Sequence, residues 1–219
     1  MKPTLGAVEA GGVEQVARFA VAYASSEGQT RAVVDHLADA LRDHGHQVTV
    51  DDVASVERAA ASVAAAQAVV VAGSIHGGRM QPRLVHFVSS HGVELSERPS
   101  GLLIVSMSAA SRDAEARARL DAYLSTFLAC TPWRPDVVEF VAGALRPGGL
   151  GPIRRTLAAR VARLVGLPTD TDVECTDWDG VRRFADALAR WFPRVGVPIR
   201  APGDSHRRPE ERGPPDERA

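Results

Sequence analysis

The sequence predicts an open, doubly wound α/β fold, with one parallel sheet, helices on both faces and the strand order 2-1-3-4-5. Three observations predict it: short and almost continuous apolar runs, segments of helical apolar spacing between them, and polar, glycine-bearing turns after the runs. A strand covered on both faces reads as an unbroken apolar run. Such strands, alternating with helices of about ten to fifteen residues, call for right-handed parallel crossovers.

The elements follow in order. Phe19 to Ala24 (FAVAYA) is the first buried strand, and Ser25-Ser26-Glu27-Gly28-Gln29-Thr30 is the turn it feeds. From Thr30 to His44, Val33, Val34, Leu37 and Leu41 recur at helical spacing, and Gly45 stands where a helix stops. Gln47 to Asp51 is a second strand, Val56 to Ala66 an alanine-rich helix, and Ala68 to Gly73 (AVVVAG) a third strand. Pro82 opens a helix carrying Leu84, Val85, Phe87 and Val88. Gly101 to Ser106 is the fourth strand, Ala114 to Ala129 a helix and Val137 to Ala142 the fifth strand. Asp177 to Phe192 is the last helix, capped by Asp177, with Val181, Phe184, Leu188 and Trp191 on one stripe.

A chain of 219 residues, 45% hydrophobic and 24% charged, buries one sizeable core and is short for two domains. The expected organisation is a leader over 1–17, one domain over 18–193 and a polar tail over 194–219 that is too poor in large apolar residues to offset its ordering entropy. An insert over 145–171 splits the fifth strand or follows it, with Val173 to Thr176 (VECT) as the strand's second half. A formal charge of −1 gives no overall pull toward nucleic acid. Cys130 and Cys175 are too isolated for a zinc site or disulfide framework and are expected to be buried thiols, and no His cluster has metal-ligand spacing. There is no signal peptide and no apolar run of about 20 residues, so the expected location is cytoplasmic.

The first turn carries the chemistry. Ser25, Ser26, Glu27, Gly28, Gln29 and Thr30 bring hydroxyls and a glycine to the amino end of a helix, where unpaired N–H groups and a partial positive charge suit a phosphate monoester. No G-x-G-x-x-G or G-K-[ST] pattern is present there, which disfavours dinucleotides and nucleoside triphosphates and leaves a mononucleotide. Two further loops end neighbouring strands: Gly73, Ser74, Ile75, His76, Gly77, Gly78 and Arg79, a flexible polar loop, and Ser106, Met107, Ser108 and Ser111. In open α/β sheets the carboxyl ends of the strands form the ligand crevice, so the three loops are expected to converge.

These loops, with Trp133-Arg134-Pro135-Asp136, Ala142-Gly143-Ala144-Leu145-Arg146 and Thr176-Asp177-Trp178, make the chain resemble the flavodoxin-like, menaquinone-dependent protoporphyrinogen oxidases from about Phe19 to Phe192. The resemblance implies a flavodoxin-like three-layer sandwich and an FMN cofactor. It places the FMN phosphate on Ser25, Gly28, Gln29 and Thr30, and the flavin ring beside Ser74, Ile75, His76, Gly77, Gly78, Ser106, Met107 and Ser108. It further implies a tetrapyrrole substrate and a membrane quinone, menaquinone, as electron acceptor.

Against the aromatic sandwich common in flavodoxins, neither ring loop here offers Tyr or Trp, so one flavin face is expected to be open. His76 is the candidate proton carrier, and Arg79, Arg112 and Arg146 are candidates for pairing with substrate carboxylates, since a guanidinium binds carboxylate bidentately. Residues 144–168 hold Arg146, Arg154, Arg155, Arg160 and Arg163 and no acid, and Ile153, Leu157, Val161, Leu164 and Val165 recur at three- and four-residue intervals. That is either a basic amphipathic helix lying on the inner face of the cell membrane through 146–167, or a helix packed on the domain with a solvated arginine face. An electron-transfer flavodoxin without its own substrate, and a scaffold that has lost FMN, are the alternative functions.

Overall fold

A computed structural model describes residues 16–111, 113–145 and 173–191. The elements run β1 (Arg18–Tyr23), α1 (Gln29–Asp43), β2 (Gln47–Asp52), α2 (Val56–Ala65), β3 (Ala68–His76), β4 (Arg79–Met80), α3 (Pro82–Ser90) and α4 (Gly92–Ser96). After these come β5 (Ser100–Val105), a 3₁₀ turn (Met107–Ala110), α5 (Ala114–Ala129), β6 (Val137–Val141), β7 (Ala144–Leu145), β8 (Val173–Glu174) and α6 (Trp178–Trp191).

The main sheet has the order β2-β1-β3-β5-β6, all parallel, which is the expected 2-1-3-4-5 winding. Its two faces explain the apolar runs. Phe19, Val21 and Tyr23 of β1, with Val70, Leu103 and Val105, pack under Val33, Val34, Leu37 and Leu41 of α1 and Val181, Phe184 and Leu188 of α6. The alternate residues Ala20, Ala22, Val69, Val71, Leu102 and Ile104 meet α2 through α5, at Val63, Leu84, Phe87, Leu95 and Phe127. Successive strand side chains point to opposite faces, so both faces demand apolar residues.

The expected stops and caps are present. Gly45 takes φ 81°, with its N–H on the Arg42 carbonyl and the His46 N–H on the Leu41 carbonyl. This pair of bonds closes the carboxyl end of α1 as a left-handed cap requires. Pro82 occupies the first turn of α3. Asp177 Oδ1 accepts from the Gly180 N–H at 2.8 Å, capping α6.

Three expectations are corrected. The segment after Gly73 is no loose loop: β3 runs on to His76 and folds back as β4, with Ile75 opposite Met80 and His76 opposite Arg79. The two linking residues, Gly77 and Gly78, have φ 57° and 79°, the left-handed pair that a type I′ hairpin turn needs. Second, Val173–Glu174 does not continue the fifth strand. It pairs antiparallel with Ala144–Leu145 in a separate ribbon, Ala144 opposite Glu174 and Leu145 opposite Val173. The reason is the neighbour: β5 ends at Val105, the Ser106 N–H makes a last bond to the Val141 carbonyl, and the chain turns away, leaving β6 nothing further to pair with. Third, the cysteines are not core residues. Cys130, just past the end of α5, is exposed, and Cys175, between β8 and α6, is half-buried.

The leader's last residue, Ala17, packs into the core and its carbonyl accepts from the Gln47 N–H at 2.9 Å. The remaining leader, Arg112, Arg146, the basic helix expected over 153–167 and the tail lie outside the described residues. Among the described residues no helix is long and apolar enough to cross a membrane.

Candidate functional site

The carboxyl ends of β1, β3, β5 and β6 build one rim. At β1, Gly28 adopts φ 84° and opens α1, and its N–H donates to Ser25 Oγ at 3.0 Å while its carbonyl accepts from the Ala32 N–H at 3.0 Å. A left-handed turn at this point favours glycine. The first turn of any α-helix also has N–H groups without intrahelical acceptors, so an anion is the natural occupant. Thr30 is buried and Glu27 is exposed at the loop tip.

The loop is held from behind by α3. The Gln81 amide lies 2.7 Å from Ser26 Oγ. In the amide orientation that satisfies both of its ends, Nε2 donates to the Ala24 carbonyl at 2.8 Å and Oε1 accepts from the Ser26 N–H at 3.2 Å. Arg83 Nη2 donates to the Ser25 carbonyl, and Nη1 lies 3.7 Å from Asp52 Oδ1.

On the other side of β1, Ser74 is buried at the end of the parallel stretch of β3, where the hairpin begins. A Cβ placed on Gly78 would lie 3.3 Å from Tyr123 Cε1 and 3.4 Å from the Tyr123 phenol oxygen, so an aromatic side chain of α5 stands against the turn. Tyr123 is the aromatic residue nearest this turn among those that a Gly78 Cβ would meet. After β5, buried Ser106 accepts from the Ser108 N–H at 3.3 Å and caps the 3₁₀ turn that carries Met107.

Gly143 measures how closely these pieces meet. A Cβ there would lie 3.2 Å from Val105 Cγ1 and 3.8 Å from both Gln29 Cγ and Met107 Sδ. Gln29 then ties the helix opening to the ribbon: Nε2 donates to Thr176 Oγ1 at 2.9 Å and to Glu174 Oε1 at 3.4 Å, and Glu174 Oε1 also accepts from the Thr176 N–H at 3.1 Å. The ends of the first, third and fourth parallel strands are neighbours in the sheet, and Gly143 and the ribbon draw the loops after the first and fourth together. Arg79, opposite His76 in the hairpin, is exposed.

Arg31 donates to Asp35 at 2.6 Å and to the Tyr23 phenol at 3.0 Å, and these partners hold its guanidinium more firmly protonated than a free one. Burial, and then the Glu174 carboxylate, push the Cys175 thiol up, which keeps it protonated and a poor nucleophile.

A family profile described as a flavodoxin domain matches residues 20–172. The chain belongs to the flavodoxin family. Within it, the chain is 31% identical over 172 residues to the protoporphyrinogen IX dehydrogenase (quinone) of Escherichia coli, an alignment covering 77% of this chain and 93% of that protein. It is 30% identical over 190 residues to the protein of the same name from Leishmania major, covering 86% of this chain and 80% of the relative. These relatives are oxidoreductases by name. The flavodoxin fold also appears in the crystal structure of the flavodoxin-like, WrbA-like protein of Agrobacterium tumefaciens, at 11% identity and a TM-score of 0.50, over 81% of this chain and 98% of that one.

Residues of the flavodoxin rim that sequence reasoning missed are Gln81, Arg83 and Tyr123. Their contacts are tertiary. The one local sign was Gln81, a polar residue preceding Pro82 at a helix start, which reads as an ordinary cap.

Proposed function

We propose that this flavodoxin-family protein is an FMN-dependent oxidoreductase of the protoporphyrinogen IX dehydrogenase type, which takes electrons from a reduced tetrapyrrole and passes them to a quinone such as menaquinone. The observation that carries the reading is the meeting at one rim of the Gly28 turn, the Gly77–Gly78 hairpin and the Ser106-capped turn. The donor set fits a flavin mononucleotide: a helix amino end with hydroxyls for a phosphate monoester, and polar, closely approached backbone at two neighbouring strand ends for a planar ring. Ser25, Gly28, Gln29 and Thr30 hold the phosphate, with Ser26 and Glu27 shaping the loop, and Ser74–Gly78 and Ser106–Ser108 border the ring. When bound, FMN supplies the two-electron redox chemistry, and the protein supplies position and access.

In this reading Arg79, Arg112 and Arg146 are the candidates for pairing with substrate carboxylates, and His76 is the candidate group for proton movement. The flavin-binding domain spans 18–193 with the insert at 145–171. The insert's basic stretch, 146–167, brings a cytoplasmic protein to the inner face of the membrane where its quinone resides.

The test is titration of the full-length protein with FMN, followed by an anaerobic assay of menaquinone-dependent porphyrin fluorescence from protoporphyrinogen. Binding with quenched flavin fluorescence and quinone-dependent porphyrin formation is the expected result, and Thr30→Ala should weaken FMN binding by about tenfold, the loss of roughly one hydrogen bond to a charged group. FMN binding without porphyrin formation would mark an electron-transfer flavodoxin. No FMN binding would overturn the redox reading altogether.

A further inference from the structure

Gln81 is a buried polar residue that works away from its own helix. It occupies the N-cap position of α3, only 5% exposed, yet its side chain makes no capping bond to α3. The amide instead reaches back 55 residues along the chain to the β1–α1 loop, touching Ser26 Oγ at 2.7 Å and, in the satisfied orientation, the Ala24 carbonyl and the Ser26 N–H. Arg83, two residues on, donates to the Ser25 carbonyl and keeps Asp52 within 3.7 Å. Two carbonyls at the start of the β1–α1 loop, Ala24 and Ser25, are thus both engaged from the α3 side.

This engagement bears on anion binding. A free carbonyl oxygen beside a helix amino end points negative charge at any phosphate bound there, and a loop that can rotate its peptides presents such oxygens part of the time. Gln81 and Arg83 fix both peptides with their oxygens committed elsewhere, and the Arg83 guanidinium stands behind the loop with its charge partly offset by Asp52. Preorganised donors bind more tightly because no ordering is left for the ligand to drive.

We propose that Gln81 and Arg83 are positioning residues that hold the β1–α1 loop in its phosphate-accepting form and thereby set this protein's preference for FMN over riboflavin, the same ring without the phosphate. The inference rests on the FMN reading above. It differs from a general role in folding, because a ring site damaged by misfolding loses both flavins alike, whereas a disturbed phosphate loop loses FMN alone.

The experiment measures Kd for FMN and for riboflavin by fluorescence quenching on full-length wild type, Gln81→Ala, Arg83→Met and Arg83→Lys, each checked for cooperative thermal unfolding. Gln81→Ala and Arg83→Met are each expected to weaken FMN by about tenfold and riboflavin by less than about twofold, the scale of one hydrogen bond to a charged partner or a buried amide. Arg83→Lys keeps a donor for the Ser25 carbonyl and should stay within about threefold of the wild-type FMN-to-riboflavin ratio. Equal weakening of both flavins, or no change in either, overturns the proposal while leaving the FMN reading intact. Wild-type protein that binds neither flavin overturns both. Should Gln81→Ala fail to fold, the part-exposed Arg83 pair still decides the outcome.

Discussion

The two ends of the sheet are built differently. At the amino end, the fully buried Trp133 donates from Nε1 to Ser100 Oγ at 3.1 Å. Ser100 and Asp136 then lock backbone to side chain and back: the Ser100 N–H donates to Asp136 Oδ2 at 2.7 Å, and the Asp136 N–H donates to the Ser100 carbonyl at 2.8 Å. Arg98 adds bonds at 3.0 Å to the Ala64 and Ala66 carbonyls, which pins the end of α2. At the carboxyl end the backbone takes left-handed conformations at Gly28, Gly77 and Gly78, and polar side chains brace loops rather than strands. Family-diagnostic residues thus fall at both ends for different reasons. Trp133-Arg134-Pro135-Asp136, which carries much of the family resemblance, secures the sheet, whereas the Ser25–Thr30 turn is the proposed phosphate loop. A motif can identify a family without touching its chemistry.

The largest expected break in this contrast is Trp133→Ala. Removing a fully buried indole from a packed core should cost about 3–5 kcal/mol of stability, read from denaturant unfolding, and FMN affinity of the molecules that remain folded should stay within about twofold of wild type. A large loss of affinity at unchanged stability would show that the amino end is not merely structural.

A smaller effect is expected between the two ends, at Glu139 in the middle of β6. Burial pushes its carboxyl above the ordinary range, against the pull of Arg183, and Asp177 pushes it further up. The folded state therefore holds the proton more tightly than the unfolded one, and stability falls as pH rises through and above the normal carboxylate range. Glu139→Gln should stabilise the protein at neutral pH, by less than about 1 kcal/mol because the group is partly solvated, and should flatten that slope in melts taken across pH.

The smallest effect belongs to the helices near the amino end, where His44 Nε2 and Asp186 Oδ1 are 2.7 Å apart between α1 and α6. The His44 hydrogen bond holds the Asp186 carboxyl below its usual range. Its contribution is present above the unfolded value of about 3.9 and is lost as pH falls through the lower folded value. Asp186→Asn should remove that acid-side slope from melting curves and leave the neutral-pH melting temperature nearly unchanged. A drop at neutral pH as large as that of Trp133→Ala would mean that the pair, and not the indole, locks this end.

How much was legible follows from the kind of contact. The strand order was readable because runs such as FAVAYA and AVVVAG are apolar on both faces, a demand that only a covered sheet makes. The Ser25–Thr30 turn was readable because its glycine and hydroxyls are local. The hairpin is signalled in the sequence by Gly77-Gly78 alone, because the apolar run ends at Gly73 and the residues after it carry no strand alternation. The ribbon was missed because VECT fits a strand equally well in either sheet, and only the early end of β5 decides between them. Gln81, Arg83 and Tyr123 act on residues of the Ser25–Ser26 loop and the Gly78 turn at least 45 positions away, a separation that no spacing rule reaches.

The β7–β8 ribbon carries a consequence for how the family can diversify. Because Leu145 faces Val173, the stretch between them leaves and re-enters through a clasp whose width does not depend on what lies inside it. Closing a longer loop costs only about 0.6 kcal/mol for each doubling of its length. What the clasp joins is therefore exchangeable, and it could be swapped or grafted between homologues without re-engineering the four residues that close it.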